Sequence, residues 1–140
     1  MKKVLITIKG AQKLSDNKDV VELMTEGVMR KSGEDYILNY NDSQILGENE
    51  KVRTKLTVRG TRRLTIERSD AVKAHMVVEK GVRNSCIYGT PHGDLVLGVY
   101  GKNIESNLSD SGGQVSVTYT LDAGMRFLSE NEIQITVKEV

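Results

Sequence analysis

Gly113-Gln114-Val115-Ser116-Val117-Thr118-Tyr119-Thr120-Leu121 decides the fold. Val115, Val117, Tyr119 and Leu121 fall on one parity; Gln114, Ser116, Thr118 and Thr120 fall on the other. Successive side chains of an extended chain point to opposite faces, so the stretch is a strand with one buried and one wetted side. The same period of two runs outward in both directions. Ile133, Ile135 and Val137 continue it; Leu95, Leu97 and Val99 precede it; Val4, Ile6 and Ile8 begin it. Clusters of Gly, Asn, Asp and Ser break the rhythm at short intervals, as turns do. The pattern predicts strands near 3–9, 19–31, 34–41, 51–59, 62–68, 71–80, 83–90, 94–101, 113–121 and 131–138.

Ser32-Gly33, Arg59-Gly60-Thr61, Ser69-Asp70 and Lys80-Gly81 read as tight hairpin turns, which make successive strands antiparallel. Gly27, inside the long second strand, suggests a bulge or bend. Polar stretches near Asn41–Glu50 and Asn103–Gly112 read as rim loops, and Asp122–Asn131 as irregular. A helix over Leu14–Met24 is opposed by Val20 and Val21, which favour strand. About ten strands in chain order would leave two open edges, and closing the sheet removes both. The expectation is all-β: a single closed antiparallel meander β-barrel of about eight to ten strands, one domain over residues 1–140.

Composition fits such a domain. Hydrophobic residues make up 38% and charged residues 28%, with one Phe and no Trp, so the core must be aliphatic. Met1-Lys2-Lys3 ahead of Val4–Ile8 reads as a first strand rather than a leader, because Thr7 and Lys9 interrupt a short apolar run. No stretch approaches the roughly 20 apolar residues of a membrane helix. Cys86 is the only cysteine, so no internal disulfide asks for an oxidising compartment, and a cytoplasmic location is expected. Net charge is +1 but uneven: residues 51–83 hold ten basic and three acidic residues, the remainder ten basic and sixteen acidic. Such asymmetry can mark a surface that faces anions.

Four segments also carry a family resemblance. They are Val58-Arg59-Gly60 through Leu64-Thr65-Ile66-Glu67-Arg68, Tyr88-Gly89-Thr90-Pro91-His92-Gly93-Asp94-Leu95, Ile104-Glu105-Ser106-Asn107-Leu108, and Gly113 to Tyr119. In their order and spacing the chain resembles the YwiB-like family of uncharacterised bacterial β-barrel proteins. The resemblance implies a calycin-type, lipocalin-like barrel in a bacterial protein, and it implies no activity. Members commonly have an aromatic residue where this chain has His92.

Strand parity sorts the candidate residues. Arg53, Lys55 and Arg59 oppose the parity of Leu56 and Val58, and Arg63 opposes that of Leu64 and Ile66, so these four form an outward basic stripe. The stripe could meet phosphates, but residues 51–83 contain no Phe, Tyr or Trp on which bases would stack. A solvated strand face that resists aggregation explains it better. Arg68 shares the inward parity and points into the barrel or its mouth, where it could clamp a carboxylate or phosphate. The preferred account of Arg68 is plainer: pairing with a nearby acid or with rim carbonyls. Tyr119 and Tyr88 have inward parity and could orient a ligand or simply fill the core; Tyr100 points outward.

His75, His92 and Cys86 match no metal spacing and no nucleophile signature. His92 sits in a turn held by the only proline, and a lone buried Cys is usually a small hydrophobe. The acid pairs Glu48 with Glu50 and Glu130 with Glu132 read as solvated loop residues, unsuited to acid catalysis. The expectation is therefore a non-enzymatic protein without cofactor or metal. Its barrel would bind a small anionic or amphipathic molecule, with Arg68, Tyr88, Tyr119 and His92 as candidate contacts. The alternative is a module that meets RNA or an acidic protein through Arg53, Lys55, Arg59 and Arg63. An outer strand face could also support a homodimer.

Overall fold

The computed structural model describes residues 2–14, 17–41, 52–70, 74–90, 93–124 and 126–140. Ten strands form one sheet: β1 (Lys2–Leu14), β2 (Asn17–Ser32), β3 (Asp35–Asn41), β4 (Val52–Arg59), β5 (Arg63–Asp70), β6 (Ala74–Glu79), β7 (Arg83–Thr90), β8 (Gly93–Ser106), β9 (Gly112–Ala123) and β10 (Arg126–Glu139). Each strand pairs antiparallel with its chain neighbours, and β1 pairs with β10 to close the barrel. The expected strands and their meander order are therefore present. The Ser32-Gly33 and Lys80-Gly81 turns place their glycines at φ 62° and 77°, a backbone region that other residues rarely adopt.

Five local expectations need correction. Ser69 and Asp70 belong to β5 rather than to a turn, and Asn103–Ser106 to β8 rather than to a rim loop, which is confined to 107–111; the loop expected near Asn41–Glu50 falls, after Asn41, outside the described residues. Gly27 makes no bulge, because β2 stays in register with both neighbours there. It is glycine for lack of room: a Cβ would lie 2.5 Å from the Asn39 carbonyl oxygen and 2.7 Å from Cδ1 of Ile6. The bulges fall elsewhere, between Gly101 and Asn103 on β8 and between Phe127 and Ser129 on β10. Asp122–Asn131 is mostly strand: β9 runs to Ala123 and β10 begins at Arg126; Ser129 and Asn131 face inward on the parity of Ile133, and the second bulge turns Phe127 outward. Glu130 and Glu132 thus stand on a strand rather than in a loop.

Successive connections of a meander alternate between the two barrel ends. At the end holding the chain termini the interior is solid. Val4, Ile6, Leu38, Val58, Leu64, Val78, Ile104, Val115 and Val137 are almost wholly buried there, each contributing about 1.5–3 kcal/mol of burial free energy. Leu108 packs against this cluster, and Asp110 clasps the same end. It accepts a hydrogen bond from the Tyr36 hydroxyl at 3.1 Å on its side chain and one from Lys2 Nζ at 2.8 Å on its backbone.

The β6–β7 boundary is the sparsest in the barrel. Among the described residues one registered pair, Ala74 with Tyr88, and one isolated bridge, Glu79 with Val82, join the two strands. Contacts from neighbouring elements cover the gap. The Cys86 thiol donates to the His75 carbonyl at 3.0 Å, and the Gly81 N–H of the β6–β7 turn donates to Gly101 on β8 at 2.8 Å.

Candidate functional site

The other end of the barrel is hollow. A cavity of about 470 Å³ opens where β1–β2, β3–β4, β5–β6, β7–β8 and β9–β10 are connected. That volume is in the range of small-molecule sites. Its walls are mainly aliphatic: Ile8, Leu23, Ile66, Met76, Leu97, Val99 and Ile133. The composition explains the space. The inward residues of this half include Gly10 on β1, and the chain has no Trp and one Phe, which points elsewhere, to bring up volume.

Polar side chains ring the cavity in ladder rows. Asp19, Gln12, Asn131 and Tyr119 are successive register partners across β2, β1, β10 and β9, and all four line the cavity. Gln12 Nε2 and Asn131 Nδ2 donate to the buried Ser129 hydroxyl at 3.4 and 3.1 Å. Tyr40, Thr54 and Arg68 form a second row across β3, β4 and β5. Tyr40 and Arg68 line the cavity, and Thr54 is buried between them in the row.

Arg68 points inward, as its parity predicted, and lines the cavity. The preferred pairing with an acid or rim carbonyl is absent: no ion pair or hydrogen bond among the described residues involves Arg68, and its buried Nε has no partner. The Thr54 hydroxyl is also buried without a partner. Two such groups in adjacent ladder positions are unusual, because buried polar atoms are nearly always hydrogen-bonded. Tyr119, 8% exposed, sits within the field of Arg68. Burial pushes its hydroxyl above the usual tyrosine range, and Arg68 partly offsets that rise.

Of Tyr88 the structure describes the backbone, paired with Ala74 and Leu95. His92 lies outside the described residues, as do Glu48 and Glu50. His75 is exposed. Cys86 lines the cavity, and burial pushes its thiol up from the usual range. No group of three or more His, Cys, Asp or Glu able to hold a metal occurs among the described residues.

Arg53, Lys55, Arg59 and Arg63 lie on the outer face. Acids are interleaved with them. Arg59 grips Asp35 through Nε at 2.8 Å and Nη2 at 3.3 Å, Lys55 stands opposite Glu67, and Arg63 opposite Glu79. The interleaving makes this face a mixed-charge surface. No helix among the described residues is long and apolar enough to cross a membrane.

Several large apolar side chains are also exposed on strands that reach the open end: Val21 and Leu95 carry the cavity parity, whereas Val20, Ile87, Val96 and Phe127 carry the outer parity. Val96 is 62% exposed opposite Ile87.

Sequence reasoning missed the Gln12–Ser129–Asn131 wall and Tyr40. Gln12 shares the parity of Ile6 and Ile8, and Ser129 and Asn131 share that of Ile133 and Ile135, but their polar side chains do not read as interior. Tyr40 was legible from parity, since it alternates with Leu38.

Three comparisons bear on the whole barrel. The family described as "Domain of unknown function (DUF1934)" matches residues 6–135. The uncharacterized beta-barrel protein YwiB of Bacillus subtilis (strain 168) is 26% identical over 121 residues, which are 86% of this chain and 82% of that protein. The crystal structure of the ywiB protein from Bacillus subtilis is similar with a TM-score of 0.85 at 25% identity, covering 99% of this chain and 92% of the other.

Proposed function

The chain belongs to the DUF1934 family of barrels, and from that premise we propose that it is a non-enzymatic, cytoplasmic binding protein whose open half takes up a small amphipathic or anionic molecule. The observation that carries the reading is the cavity of about 470 Å³ at one mouth of a barrel whose other half is packed solid. An apolar well under a polar belt suits a molecule with one apolar and one polar part. The exposed Val21 and Leu95, on the cavity parity of β2 and β8, give an apolar body a path from water into the well. The lone Cys86, its thiol pushed up by burial, suits a reducing compartment.

Gly10 provides the test. It faces the cavity, and a Cβ there would meet nothing within 4 Å. Gly10→Phe should fill the lumen without displacing any neighbour. Wild-type protein should bind the neutral apolar dye N-phenyl-1-naphthylamine stoichiometrically, with enhanced fluorescence. The Gly10→Phe protein should fold, by circular dichroism and melting, and lose the dye. Equal dye binding by both proteins, or none by the wild type, would remove the reading.

A further inference from the structure

Resting on that reading, we propose that the bound molecule is an acyl-type carboxylate with an amide or hydroxyl beside its head group. Arg68 would hold the carboxylate at the mouth, and Gln12 with Asn131 the neighbouring donor. The barrel order places β10 five strands from β5 in a ring of ten, so Asn131 and Arg68 arise from opposite walls of the lumen. Arg68, Asn131 and Tyr119, the register partner of Asn131, all line the same cavity. A cationic fork and an amide wall therefore converge on one region of the cavity.

Each partner has a stated need. Arg68 Nε is a buried donor with no acceptor, and an arginine takes a carboxylate in two parallel hydrogen bonds. Gln12 and Asn131 each donate one amide N–H to Ser129, and no hydrogen bond to either side-chain carbonyl oxygen occurs among the described residues, so both can accept from a ligand in the cavity they line. A plain fatty acid would satisfy Arg68 and leave those oxygens unmet; an acid with an adjacent N–H or O–H satisfies both. Charge sets the valence of the head. Arg68 is the one Lys or Arg on the cavity wall among the described residues, and Asp19 and Glu132 also line the mouth. A singly charged carboxylate fits that balance better than a phosphate dianion. The apolar remainder would lie on Ile8, Leu23, Ile66 and Val99.

Competition with N-phenyl-1-naphthylamine separates the parts, using dodecanol, dodecanoate and N-dodecanoylglycine as probes. Dodecanoate should bind roughly tenfold more tightly than dodecanol, and N-dodecanoylglycine several-fold more tightly again, as single hydrogen bonds are worth. Arg68→Leu should erase the preference for dodecanoate over dodecanol. Asn131→Ala should erase the preference for N-dodecanoylglycine over dodecanoate while leaving the first preference intact. Equal binding of the two acids by wild type overturns the assignment of the second group. A preference for dodecanoate that survives Arg68→Leu overturns the role of Arg68. If the dye binds and Gly10→Phe expels it while all three probes compete equally, the head-group assignment fails and the binding reading stands. If the dye never binds, both fail.

Discussion

Thr54→Val should make this protein more stable, although it removes a polar group from the middle of a well-formed strand. Thr54 is 1% exposed on the inward parity of β4, and its Oγ1 has no hydrogen-bond partner among the described residues. Valine has nearly the same shape, so the barrel need not move. Removing an unsatisfied buried hydroxyl returns about 1–3 kcal/mol. The methyl that replaces it is buried for about 0.8 kcal/mol more, and β-branching suits the strand. Taking about 2 kcal/mol net, and about 3 °C per kcal/mol at this chain length, the melting midpoint should rise by roughly 6 °C. Urea titration followed by circular dichroism should show a higher midpoint with an unchanged m-value. Thr54→Ser is the counterpart: it keeps the hydroxyl and deletes the methyl, and should cost about 1 kcal/mol. If Thr54→Val instead loses 1 kcal/mol or more, the hydroxyl is bonded in solution. The picture of unmatched polar groups beside the cavity then fails at its best-defined point.

Two other perturbations test separate parts of the barrel. Gly101→Ala would drive a Cβ into the backbone carbonyl of Glu79; it should cost at least the roughly 1–3 kcal/mol of ordinary overpacking and speed exchange of the Gly81 amide, whereas Gly10→Ala, with open space, should do neither. Hydrogen bonding to the Arg59 guanidinium holds the Asp35 carboxyl below its usual range, so its stabilising contribution is complete above the unfolded carboxylate value near 4 and is lost as pH falls through the lower folded value. The melting-temperature gap between wild type and Asp35→Asn should therefore be modest at pH 6, because the pair faces solvent, and should close as the pH approaches 2; a gap independent of pH would contradict the pairing.

The fold was legible because one physical rule governs it throughout. Alternation at Val115–Leu121 and Ile133–Val137 sets which face is wet, and turn residues set where the chain reverses. The same parity placed Arg68 and Tyr119 inside. Parity fails where a single residue slips. The bulge between Phe127 and Ser129 turns Phe127 outward against the parity it shares with Ile133; Ser129 and Asn131 keep that parity, but neither residue type announces an interior position. Gly27 shows the converse: a glycine within a strand was read as bending it, but the constraint came from Ile6 and Asn39 on neighbouring strands, which no local pattern contains. The cavity was equally hidden. Period two says which side chains face inward; whether they fill the space depends on their sizes at matching heights on ten strands.

The ten registered pairs from Val4–Glu139 to Lys13–Glu130 have a kinetic consequence. They join segments more than a hundred residues apart, so none of them can form until most of the chain has collapsed and its loop-closure entropy has been overcome. Folding should be slow for a domain of this size, with β10 docking late. During synthesis the first nine strands would emerge as an open sheet with two unpaired edges and the apolar residues of the future lumen facing water. A chaperone that shields such a sheet would act before the lumen has an inside, and a ligand could be taken up only afterwards.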